Sequence, residues 1–129
     1  MDPRSLARYS LAGIRLVNGV AALAVPQVVA RRLGADENQP GLIHVLRMFG
    51  VRTVFIGAEL LLLKDADRIA QALRIGTLIH ASDALSAAAA GRQGLLPPRA
   101  AMTTTTISTV NVALSLLAQL PGGAPRGRS

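Results

Sequence analysis

The sequence predicts an all-α protein, specifically a four-helix up-down-up-down transmembrane bundle. Half of the 129 residues are hydrophobic and only 16% are charged, whereas about a quarter are charged in ordinary soluble domains. Aromatic residues make up 2% of the chain, so its apolar surface is mostly Ala, Leu and Val. That composition is typical of helices that pack closely through small residues in a membrane. Short polar or Pro/Gly-rich segments separate four long apolar segments, at about 5–33, 41–63, 68–90 and 101–120.

The first segment predicts one long helix over residues 5–33. Asp2 is a typical residue for a helix start, and Gly34 is a typical residue just after a helix end. We expect Pro26 to kink the last turns without ending the membrane-spanning part, about 9–29, because neighbouring helices can satisfy the freed backbone groups.

The second segment, 41–63, is the one around which the others are expected to assemble. Its 23 residues are long enough to cross a bilayer with some tilt, and Pro40 is suited to its first turn. Ionisable residues interrupt it, and in hydrocarbon such residues must face protein or trapped water. This helix therefore needs neighbours for four side chains: His44, Arg47, Arg52 and Glu59.

The third and fourth segments supply polar partners for the second. The third helix, 68–90, is expected to start after Asp67 as its cap, and it contains His80 and Asp83. The fourth helix, 101–120, has one polar stripe that we expect to face inward, made of Thr104, Ser108, Asn111 and Ser115.

Residues 1–120 are interpreted as one membrane domain, followed by a disordered tail, 121–129. Short loops imply that successive helices alternate in direction. The end that holds both termini carries more basic residues than the other end. The positive-inside rule therefore favours a multi-pass protein of the cell membrane with cytoplasmic termini.

At 1.5 Å rise per residue, the polar side chains fall at matching depths on antiparallel helices. The purely structural interpretation pairs Glu59 with Arg15 or Arg74, and Asp83 with Arg47 or Arg52. An unpaired Arg costs about 2.5–3.5 kcal/mol in hydrocarbon on insertion scales, so such pairing is expected. The functional interpretation is that surplus positive charge in the core binds an anionic, lipid-like ligand. Its candidate ligand-binding residues are Arg15, Asn18, Arg52 and Asn111.

Two further functions stay open at this point. The chain could be an accessory subunit, or a small membrane enzyme of the isomerase or cyclase type acting on a hydrophobic substrate. In the enzyme, Asp83 or Glu59 would be the general acid/base, with His80 nearby as a weaker candidate. A soluble helical bundle that oligomerises through its apolar faces is the remaining alternative class.

The residue types also limit the cofactors and partners that we expect. The chain has no cysteine, and its two histidines, His44 and His80, belong to different predicted helices, so no metal site and no cofactor are predicted. The net charge of +7 is spread along the chain without a nucleic-acid-binding motif, so no nucleic-acid partner is expected. Expected partners are membrane lipid and either a membrane protein or a second copy of this chain.

Short motifs add a family resemblance. Arg15 and Gly19 match an R-x-x-x-G motif in the first helix. The segment RMFGVRTVFIG contains Gly50, Arg52 and Gly57, which match a G-x-R-x-x-x-x-G motif in the second helix. Asp83 matches an Asp that lies late in the third helix. In this the chain resembles small bacterial four-helix integral membrane proteins of unknown activity, and its overall shape is similar to that of DoxX-like proteins. The resemblance implies an architecture rather than a reaction.

Overall fold

The computed structural model describes residues 1–121, and all regular secondary structure within them is α-helical. The all-α class is therefore confirmed. The expected count of four helices is wrong, because the first predicted helix is two helices. The predicted tail lies outside the described residues except for Pro121. The helices are α1 (Pro3–Ala24), α2 (Pro26–Arg32), α3 (Pro40–Leu62), α4 (Ala66–Arg92) and α5 (Pro98–Ala118).

Pro26 ends α1 rather than kinking it. The chain turns by 108° between α1 and α2, and Val25 at the break leaves the helical region with φ −132° and ψ 55°. Proline lacks the N–H that would continue the helix, and its ring disfavours a helical conformation at the preceding residue. The predicted continuous helix over 5–33 is wrong for this reason.

Three of the long helices begin with proline in the first turn, where the missing N–H has no consequence. Asp2 caps α1 by accepting the backbone N–H of Ser5 at 2.9 Å. This hydrogen bond and a second from the Ser5 hydroxyl lower the pKa of Asp2. The cap of α4 is Asp65, whose side chain accepts from the N–H of Asp67. The predicted cap, Asp67, is therefore wrong by two residues.

Glycines with positive φ end α2 and α4. Gly34 has φ 75° and Gly94 has φ 70°, a region that side chains with a Cβ rarely adopt. In each case the following residue donates back into the last turn, from Ala35 to Ala30 and from Leu95 to Ala90. Both ends are therefore Schellman motifs, as the position of Gly34 in the sequence indicated for the first.

Glycines also bring α1 and α3 into backbone contact. A Cβ on Gly19 would lie 2.7 Å from the backbone nitrogen of Val54, and one on Gly50 would lie 2.7 Å from the carbonyl oxygen of Gly19. Further along, Gly57 lies against Ala12. Higher residue numbers on α1 thus contact lower residue numbers on α3, so the two helices are antiparallel. They are packed more closely than residues with a Cβ at these positions would permit.

A chain of side-chain hydrogen bonds joins α4 to α5. Gln119 donates to the hydroxyl of Thr77 at 2.9 Å. The Thr77 hydroxyl donates to Ser115 at 2.8 Å, and Ser115 donates to the carbonyl of Leu73 at 2.8 Å. As predicted, the polar stripe of α5 faces inward, because Ser108, Asn111 and Ser115 are buried.

The long helices form two close pairs that meet along one side. α1 packs along α3, α4 packs along α5, and α1 and α5 join the pairs, whereas α3 and α4 touch over a much shorter length. A groove therefore lies between α3 and α4, although the chain connects them directly through residues 63–65.

In the part of the chain that the structure describes, α5 alone is long and apolar enough to cross a bilayer, with a mean hydropathy of 1.3. The α1–α2 pair meets the same requirement only when taken together across its bend. The α3 helix, which was expected to be the principal span, carries four ionisable residues. Helix length and composition therefore do not support the predicted multi-pass arrangement.

Candidate functional site

Arg15 lies at the centre of the helix assembly. It projects from α1, is 1% exposed and is the largest of the fully buried side chains. Its Nε donates to Nε2 of His80 on α4 at 3.0 Å, and one terminal nitrogen donates to the carbonyl oxygen of Ile56 on α3 at 3.1 Å. The other terminal nitrogen has no acceptor among the described residues. One guanidinium thus links three helices and retains unused donors.

The hydrogen bond from Arg15 fixes the chemical form of His80. Because Nε2 accepts, it carries a lone pair, and a histidine in this arrangement is neutral with its proton on Nδ1. Both acceptors of Arg15 are therefore uncharged. A buried positive charge that has only neutral hydrogen-bond partners is incompletely compensated.

Glu59 does not form the ion pair with Arg15 that was expected. Within residues 1–121 its carboxylate has no basic nitrogen within 4.0 Å, and it acts on Arg15 only through space. Glu59 lies at the expected depth along α3, but it is not on the face of α3 that contacts Arg15. Gly57 directs its face toward α1 and Arg15, and a residue two positions later points to the far side of the helix.

Gly76 separates Arg15 from the outside of the protein. A Cβ at this position would overlap the unpartnered terminal nitrogen of Arg15, so only glycine lets the guanidinium lie where it does. Gly76 also lines the groove between α3 and α4. Gly76 of α4 therefore forms the groove wall that separates the Arg15 guanidinium from the groove.

The groove has a volume of about 310 Å³, at the lower end of the range for ligand sites. Toward the α3–α4 connection its lining is polar, and deeper along the helices it is apolar. The polar residues are Glu59, Arg68 and Gln71, and the apolar ones include Ile56, Ile75 and Ile79.

Arg52 of α3 and Asp83 of α4 form an ion pair on the side of the groove away from the α3–α4 connection. Their side chains are 3.1 Å apart and are 43% and 29% exposed. The guanidinium also lies over the ring of Phe49, 5.4 Å from its centre, which is cation–π geometry. Of the two arginines considered as partners of Asp83, the structure therefore brings Arg52 to it.

The remaining candidate residues differ in burial. Asn111 is buried with its side-chain oxygen unpartnered within the described chain, whereas Asn18 is only half-buried. Thr53, which the sequence reasoning did not single out, is also buried with an unpartnered hydroxyl. Its spacing from Gly50 and Gly57 on the face of α3 that packs against α1 would have indicated its burial.

No protein-family model, curated protein or solved structure matches this chain. The likeness to DoxX-like membrane proteins therefore stays a prediction that its short motifs carry.

The candidate acid/base residues are engaged in different ways. The Nε2 atom of His80 is occupied by Arg15, and the carboxylate of Asp83 is occupied by Arg52. Glu59 alone lines the groove without a hydrogen bond to any residue in 1–121. The arrangement is thus better suited to holding a charged group than to passing a proton between two side chains.

Proposed function

We propose that the protein is a membrane protein whose α3–α4 groove binds one single-chain amphiphile with an anionic head. The observation that carries this proposal is Arg15, a buried cation with neutral hydrogen-bond partners and an unused donor, placed directly behind the groove wall. Such a charge in apolar surroundings favours an anion nearby, because little solvent screens it.

The distribution of polarity supports a lipid environment. Large apolar side chains point outward near the middle of the helices, including Val17 on α1, Phe55 on α3 and Leu78 on α4, each about 70% exposed. Arg15 and His80 point inward. Soluble proteins rarely expose large continuous apolar surfaces, whereas lipid-facing surfaces are apolar. The exposed Arg47 and Arg74 can extend toward the headgroups along their own alkyl stems.

We expect the protein to remain with the membrane fraction after washing with high salt and with alkaline carbonate. Hydrophobic contact with lipid chains is insensitive to both treatments, whereas electrostatic attachment is weakened by salt. Full-length protein should be followed by immunoblotting, with a known peripheral protein as the control. Recovery in the supernatant without detergent would contradict the membrane assignment.

The charges around the groove favour a ligand with a single negative charge. Arg15 behind the wall and Arg68 in the lining supply two positive charges, and Glu59 supplies one negative charge. One anionic head balances the remaining positive charge. The polar residues lie at the end of the groove near the α3–α4 connection and the isoleucines lie deeper, so the head is expected beside Arg68 and the chain along the isoleucines. Gly76, with Arg15 behind it, is eight residues or about 12 Å from Arg68 along α4, so Arg15 attracts the head through space and not by contact.

Substitution of Arg68 by glutamine should weaken the binding of dodecanoate by about tenfold or more, since a hydrogen bond to a charged group contributes about 1.5–3 kcal/mol. Arg74→Gln is the matched control, because Arg74 is exposed on the same helix and does not line the groove. Binding is measured by displacement of a fluorescent fatty acid from full-length protein in nanodiscs of zwitterionic lipid. Equal losses in the two variants would mean that general surface charge, not the groove, attracts the acid.

A further inference from the structure

We infer that the Arg52–Asp83 ion pair is the inner end of the groove and limits the length of the chain that it accepts. This inference rests on the proposed function, because it concerns the specificity of the same groove. It gives the pair a role in specificity beyond charge compensation between two helices.

The helical positions place the pair in line with the groove. On α3 the lining residues Ile56, Glu59 and Leu63 share one face, and Arg52 lies one turn before Ile56 on that face. On α4 the last lining residue toward the interior is Ile79, and Asp83 lies one turn beyond it on the same face. The two rows thus continue into Arg52 and Asp83.

The ion pair closes the gap between these rows. A terminal nitrogen of Arg52 lies 3.1 Å from a carboxylate oxygen of Asp83, so side-chain atoms bridge α3 and α4 at that level. An alkyl chain could pass further only by separating the two groups. Separation would break the ion pair, and in the proposed lipid environment the parted charges, which are partly exposed, would be poorly screened.

The opposite end is closed by the chain itself. Residues 63–65 connect α3 to α4 directly, so the groove runs at most from the level of Leu63 to that of Arg52. Eleven residues at 1.5 Å rise give a length of about 16 Å. An extended hexadecanoate chain is longer than this, whereas an octanoate chain is shorter.

Competition by octanoate, dodecanoate and hexadecanoate tests the inference on full-length protein in zwitterionic nanodiscs. The unmodified protein should bind dodecanoate more tightly than octanoate, which buries fewer methylene groups, and more tightly than hexadecanoate, which is longer than the groove. The double variant Arg52→Ala/Asp83→Ala removes both charges together and opens the inner end. Its affinity for hexadecanoate relative to dodecanoate should rise about tenfold, because more of the chain is then buried.

Two further variants separate chain length from fold stability. Arg47→Ala removes an exposed arginine of α3 outside the lining row and should keep the original length preference. The exchange Arg52→Asp/Asp83→Arg retains an ion pair and should also keep it, even if the double alanine variant does not fold. Dodecyl phosphate in the same assay establishes whether the anionic head is better matched by a phosphate or a carboxylate.

The outcomes distinguish the two proposals. If the acids bind but the double alanine variant keeps the original length preference, the ion pair is not the end of the groove. A change in length preference in the exchange variant equal to that in the double alanine variant would also overturn the inference. If the unmodified protein binds none of the acids and no dodecyl phosphate, the proposed function itself fails.

Discussion

Replacing Gly50 by alanine should destabilise the protein by about 3 kcal/mol, near the upper end of the usual range for an overpacked interior. The added Cβ would lie 2.7 Å from both the carbonyl oxygen of Gly19 and the backbone nitrogen of Leu23. Backbone atoms of a neighbouring helix cannot rotate out of the way as a side chain can. We therefore expect α1 and α3 to separate, and SDS-induced unfolding from mixed micelles measures the change in unfolding free energy.

Gly41→Ala on the same helix is the matched control. No atom lies within 4 Å of a Cβ at Gly41, and alanine has the higher helix propensity, so this variant should be as stable as the original protein or more so. Gly13→Ala provides the same control on α1, where a Cβ also meets no atom within 4 Å. If Gly50→Ala unfolds at the same SDS fraction as these controls, the close crossing of α1 and α3 is wrong.

Substitution of His80 by leucine should destabilise the protein by about 2–3 kcal/mol, because it leaves the buried Nε–H of a charged Arg15 without its acceptor. The double variant Arg15→Met/His80→Leu should recover most of that loss. Replacing a buried charge and its partner together by apolar residues of similar size is often neutral or stabilising. Removing one partner is therefore expected to be worse than removing both.

A double-mutant cycle measures this coupling. The unfolding free energies of the two single variants and the double variant give the interaction between positions 15 and 80, which we expect to be about 2 kcal/mol. His44→Leu is the control, because His44 is an exposed histidine of α3. Strictly additive losses at positions 15 and 80 would contradict the arrangement in which Arg15 donates to a neutral His80.

The sequence predicts the helices best where local chemistry decides them. Asp2, Pro40 and Gly34 each favour one backbone position, and α1, α3 and the end of α2 follow them. The break at Pro26 was missed because proline can either bend or end a helix. Which occurs depends on whether neighbouring helices satisfy the exposed backbone groups. That information comes from packing, not from the local sequence.

The candidate site could be predicted in depth but not in orientation. Residue counting along antiparallel helices placed Asp83 nearest in depth to Arg47, with Arg52 as the second possible partner, and it is Arg52 that Asp83 meets, at 3.1 Å. The same counting placed Glu59 level with Arg15 and Arg74, yet Arg15 donates to His80 and to a backbone carbonyl instead. Orientation about each helix axis depends on close contacts such as that at Gly76. Such contacts appear only when the helices are assembled.

If the proposed membrane arrangement is correct, the 108° turn at Pro26 sets how deeply the protein sits in a lipid bilayer. The 22 residues of α1 extend about 33 Å, close to the thickness of the hydrocarbon layer. If α1 stands upright, the 108° turn lays α2 flat along the membrane surface. Arg31 and Arg32 in its last turn then come level with the lipid phosphates. In the proposed membrane arrangement, the short helix would therefore resist displacement of the molecule along the membrane normal.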